Sequence, residues 1–162
     1  MDAFYETVTS FCFTLMGLWW AVVQLRREEW VPDPTYRRMA YNVHLSFFVP
    51  AIMGLGSMLG GDSGLLWRGV FVAAGLLGIV STFSIISAVK DTLHGWLFQG
   101  GYWAAIALYS LVVLIALNPG IVRLFGTGVS PLQAEGLLVA ILVALGVTIA
   151  WEFTISPPRA SR

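Results

Sequence analysis

The chain has 162 residues, 57 % of them hydrophobic and 11 % charged, with nine basic and nine acidic residues and no net charge. Ordinary soluble domains carry about 25 % charged residues, so a soluble domain of this size is excluded. The balance offers no basic tract for nucleic acid. One cysteine, Cys12, rules out an intrachain disulfide, a CxxC redox pair and a multi-cysteine zinc site.

The apolar residues fall in blocks of about 20, the length that crosses ~30 Å of hydrocarbon at 1.5 Å per residue. They do not alternate as barrel strands do. The expected fold is an all-α integral membrane protein, a single transmembrane domain with five spans near 4–25, 38–59, 65–89, 95–117 and 132–153. The first span is preceded by Asp2 and Glu6 instead of a basic region and is too long for a signal-peptide core, so it reads as a retained helix.

Between spans one and two lies LRREEWVPDPTYRRMAY, which holds Arg26, Arg27, Arg37 and Arg38. Pro32 and Pro34 are expected to stop helix continuation there, because proline lacks a donor and clashes with the preceding turn. So many arginines beside two spans are costly to translocate, which places this loop in the cytoplasm. Lys90, Arg159 and Arg162 then fall on the same side, and Arg68 and Arg123 on the other. Seven of the nine basic residues inside satisfies the positive-inside rule. The amino terminus is outside and the carboxyl terminus cytoplasmic. The segment between Pro119 and Pro131 is too short to cross and reads as re-entrant or surface-lying.

Span one has the cleanest pattern. Glu6, Ser10, Phe13, Gly17, Ala21 and Gln24 fall within ~80° on a helical wheel of 100° per residue. A polar, small-residue stripe faces protein or water, either as a packing face or as the wall of a pathway with an acidic outer mouth. Span five carries a looser row: Gly136, Ala140, Ala144, Thr148 and Glu152. Span three has Gly75, Gly78, Ser81, Thr82, Ser84 and Ser87, read as packing contacts.

Span two is the most suggestive. Asn42, His44 and Ser46 enter the membrane from the inner side, ahead of Pro50. Intramembrane ionisable groups are functional candidates, and histidine titrates near neutral pH. By depth, His44, His94, Asp91, Lys90 and Glu152 share the inner end. At the outer end Glu6 and Glu135 lie near Arg68 and Arg123, with ion pairing as the expectation; unpaired, Glu135 and Glu6 would draw cations to an outer mouth.

No voltage-sensor repeat, selectivity filter, phosphate-binding loop, zinc-hydrolase spacing or nucleophile elbow is present. No cofactor and no metal site are expected, and an enzyme role has no motif to carry it. Two functions stay open. One is a small homo-oligomeric channel or transporter for an ion or solute, its pathway drawn from Glu6, Ser10, Gln24, Asn42, His44, Ser46, His94 and Glu152, with Glu135 and Arg68 at the outer mouth. The other is a non-transporting subunit that docks on a membrane-protein partner. Short loops and abundant tryptophan and glycine suit a bacterial inner membrane.

Overall fold

Helices α1 (Asp2–Leu25), α2 (Arg27–Trp30), α3 (Pro34–Gly60), α4 (Gly64–Val89), α5 (Trp96–Leu117), α6 (Gly120–Leu124) and α7 (Pro131–Ile155) make up the computed structural model, which describes residues 1–60, 64–89, 96–124 and 128–155. Five of them, α1, α3, α4, α5 and α7, are long and apolar enough to cross a membrane.

The arginine-rich stretch is more ordered than a loop. Pro34 starts α3 instead of blocking it: a missing N–H costs nothing at the first helical position, and proline's fixed φ suits it. Asp33 caps that end, its Oδ1 accepting the Thr35 N–H at 2.7 Å. The helix therefore begins four residues before the expected span. Just upstream, Arg27–Trp30 forms the short α2, and Trp30 is 4 % exposed. Its ring lies 4.6 Å from Phe153 and 5.9 Å from Trp19, so the stretch is anchored under the ends of α1 and α7. Within α3, Pro50 is buried and the helix continues through it to Gly60.

Helix α3 is the hub, packed against α1, α4 and α7, while α5 joins α4 to α7 and closes a ring of α3, α4, α5 and α7. Helix α1 rides outside that ring, on α3, with a narrow contact to α7. Successive long helices run antiparallel. One end of the bundle gathers Tyr5, Gly54, Arg68, Ala116 and Leu132; we call it the Asp2 end. The arginine end gathers Trp19, Trp30, Ala40 and Phe153.

Glycines set the closest approaches. A Cβ on Gly56 would run into Val70 of α4. One on Gly78 would lie 2.6–2.7 Å from three ring carbons of Tyr109, a flat stack of α4 on α5. Overpacking of that kind costs about 1–3 kcal/mol. Gly78→Ala is therefore expected to lower the unfolding free energy by about that amount, measured by reversible unfolding in detergent. The nearby Ser81 and Thr82 hydroxyls both donate to the Gly78 carbonyl, and Ser87 donates to Phe83, so these groups bond back to their own helix.

Candidate functional site

Helix α1 buries Tyr5, Thr9, Cys12, Met16 and Trp19 against the rest of the chain. The stripe of Glu6, Ser10, Phe13, Gly17, Ala21 and Gln24 lies on another face, and every one of these residues is exposed. It is not a packing face within the chain. A Cβ on Gly17 would meet nothing within 4 Å. Thr7 and Thr14 also lie on this exposed side, their hydroxyls donating to the carbonyls of Ala3 and Ser10. Both fall outside the ~80° sector that the stripe occupies on a helical wheel. The exposed side of α1 thus mixes these polar groups with the exposed Phe4, Phe11, Leu18 and Leu25.

The Asn42–Ser46 stretch splits. A helix turns about 100° per residue, so Asn42 and Ser46 share one face of α3 and His44 takes nearly the opposite one. His44 points towards α1: its ring lies 5.8 Å from Trp20, edge-on, and stacks at 6.0 Å on Phe48 and 6.3 Å on Tyr41. It is half-buried, and its Nδ1 has no hydrogen-bond partner among the described residues. Here a groove of about 230 Å³ opens between α1, α2 and α3, with Trp20, Trp30, Arg37, Tyr41 and His44 on its walls.

Asn42 and Ser46 instead face the centre of the ring. With Ser81, Thr82, Tyr102 and Tyr109 they line a cavity of about 20 Å³, enough for one water molecule. Ser46 donates to the Val43 carbonyl at 2.7 Å, and Asn42, 9 % exposed, makes no side-chain hydrogen bond with another described residue. The two tyrosines were not among the sequence candidates. Their helix, α5, is apolar throughout its central part, and no periodicity in it marks Tyr102 or Tyr109 as turned inward.

At the Asp2 end the expected ion pairing is not found among the described residues, which leave out the side chain of Arg123. Arg68 donates from Nε to the Ala116 carbonyl at 2.6 Å and from Nη2 to that of Leu117 at 2.7 Å. The last carbonyls of a helix lack intrahelical donors and carry the negative end of its dipole, so the C-terminus of α5 takes the guanidinium. Glu135 is 0 % exposed, and neither carboxyl oxygen has a hydrogen-bond partner among the described residues. It belongs to the buried row of α7 with Val139, Leu142 and Gly146. The Tyr5 hydroxyl lies within electrostatic reach of it and donates to the Leu132 carbonyl at 2.8 Å. One turn along α1, the Thr9 hydroxyl is buried against Gly54 and also lacks a hydrogen-bond partner among the described residues.

Glu152 is half-buried near the arginine end. Lys90, Asp91 and His94 lie outside the described residues, as does the side chain of Arg123, so the expected inner cluster is described only at His44 and Glu152. Among the described residues no three His, Cys, Asp or Glu side chains come together as metal ligands would. Comparison with known proteins finds no matching family, no matching curated protein and no matching solved structure. The functional reading therefore rests on the residues themselves.

Proposed function

We propose that the chain is a multi-pass protein of the cell membrane, amino terminus outside, that assembles with copies of itself and passes an ion or small solute along the joined faces of α1. The observation that carries this reading is the exposure of Glu6, Ser10 and Gln24 on one side of α1. Hydrocarbon offers such groups no partner, and a second copy or a water-filled path does. The polar cavity inside the ring has room for one water, which favours a path between chains over one within a chain. Glu6 would stand at the outer mouth and Gln24 at the inner one.

The test is flux from proteoliposomes of the purified protein, with potassium and chloride gradients in turn, at about pH 5 and about pH 8. Flux above empty liposomes supports the reading. No flux under any of these conditions counts against it. His44 borders the α1 face through Trp20, and the charged and titratable groups beside it are Arg37 and Tyr41. Protonation adds a second cation beside Arg37. For a cation path, flux is therefore expected to be lower at about pH 5 than at about pH 8, and His44→Ala is expected to abolish the difference.

A second reading has its own observation. Between α1 and α7 lies an apolar wedge of about 290 Å³, walled by Leu15, Leu18, Val22, Phe47, Val147 and Trp151. A helix of another membrane protein seated there would make this chain a docking subunit. Stoichiometric co-purification of one defined partner from native membrane, without flux from the isolated chain, supports that reading; isolation from native membrane without a partner opposes it.

A further inference from the structure

Glu135 stands apart from the α1 face and asks for its own explanation. Its side chain is fully enclosed where α1 meets α7, and both carboxyl oxygens lack a hydrogen-bond partner among the described residues. A buried carboxylate is tolerated where a counter-charge or several donors hold it. Among the described residues the nearest elements supply neither. From α1 comes the Tyr5 hydroxyl, already donated to Leu132; Asp2 and Glu6 are exposed. The half of α3 at this end, from Phe47 to Gly60, has no titratable residue. On α4, Arg68 is engaged with the α5 carbonyls. On α5, Tyr109 lines the other cavity. On α6, the side chain of Arg123 is outside the description.

We propose that Glu135 is a proton-binding site of this chain, a carboxyl that carries its proton as the neutral acid at the junction of α1 and α7. It lies four residues into α7, roughly 6 Å from the start of the helix at 1.5 Å per residue. That is close enough to the Asp2 end for the proton to exchange with water there. Intramembrane carboxyls are rare, and proton relays are one of the functions they mark. The site does not depend on the α1 pathway, and a chain that moves no ion would still carry it.

A hydrophobic carbodiimide tests it directly. A neutral carboxylic acid adds across one C=N bond: its proton passes to nitrogen and its oxygen bonds the central carbon. The acyl group then migrates from oxygen to nitrogen and leaves a stable N-acylurea. Nothing is oxidised, and no group leaves. The full-length protein in mild detergent is treated with dicyclohexylcarbodiimide over a pH series and read by intact mass and peptide mapping. The expected result is one adduct per chain, on Glu135, declining as the pH rises and lost in Glu135→Gln. Glu6→Gln and Tyr5→Phe, which leave the carboxyl in place, keep the label. Mapping the adduct on the unmutated chain gives the answer even where Glu135→Gln does not fold. No adduct on Glu135 at any pH overturns the proposal, as do adducts spread equally over Glu6, Glu28 and Glu29. Suppression of labelling by sodium or potassium chloride at fixed pH also overturns it, in favour of a metal-cation site.

Discussion

Gly17→Trp is expected to reduce the proposed α1-paired assembly to the mass of a single chain while leaving the bundle folded. The reasoning separates the two effects by geometry. Beyond the local helix backbone, a Cβ on Gly17 would meet nothing within 4 Å, so a larger side chain there starts into open space outside the bundle. If α1 faces α1 in the assembly, the same position lies at the closest approach, where small residues let backbones meet. An indole wedged there removes several contacts at once. A loss of only 1.4 kcal/mol already weakens association about tenfold, and this substitution exceeds that. Leu18→Trp supplies the control: Leu18 is 61 % exposed but lies about 100° around the helix from Gly17. The masses of both variants, measured in mild detergent, decide the matter. An unchanged assembly in Gly17→Trp, or a monomeric unmutated chain, removes the α1 interface.

Trp30→Ala is expected to cost about 3–5 kcal/mol of stability, the range for a buried tryptophan cut back to its Cβ. The size of the effect follows from what the ring does. It is nearly fully enclosed and stacks between Trp19 of α1 and Phe153 of α7, and Phe153 is in turn packed by Tyr36 of α3. Removing it opens a void where three long helices meet. Trp103, which is 56 % exposed, gives the comparison, and Trp103→Ala is expected to stay within about 0.5 kcal/mol of the parent. Equal effects of the two substitutions in reversible unfolding would mean that α2 is not packed as described.

The five long helices were legible because each is a continuous apolar block bounded by glycine, proline or charge. What a block cannot reveal is which side of it turns inward. The stripe of α1 stood out through spacing alone, but spacing could not say whether this chain or another surface covers it. Asn42, His44 and Ser46 looked like one feature because they are close in sequence. Two residues of helix separate His44 from the others by about 200°, which sends them to different sides of α3. Glu135 and Arg68 looked like partners because they share a depth, yet depth leaves lateral position open, and Arg68 donates to the terminal carbonyls of α5. The packed α2 was hidden for a related reason: a four-residue helix has no period to detect, and its order comes from aromatic contacts with residues 11 and 123 positions away, Trp19 and Phe153.

The hub position of α3 has a consequence for how the chain is made. Helices α1, α3, α4 and α5 meet in the order in which they leave the ribosome, each packing on one that is already present or the next to arrive. Helix α7 is different: it closes on α3 and α5 and touches α1, so it has to be synthesised before the ring exists. Until then the side of α3 that bears Asn42 and Ser46 lacks one of its covers, and Trp30 waits for Phe153. The half-made bundle therefore leaves Asn42 and Ser46 uncovered on that side. A chain stalled before Pro131 keeps that side of α3 open and leaves Trp30 without Phe153.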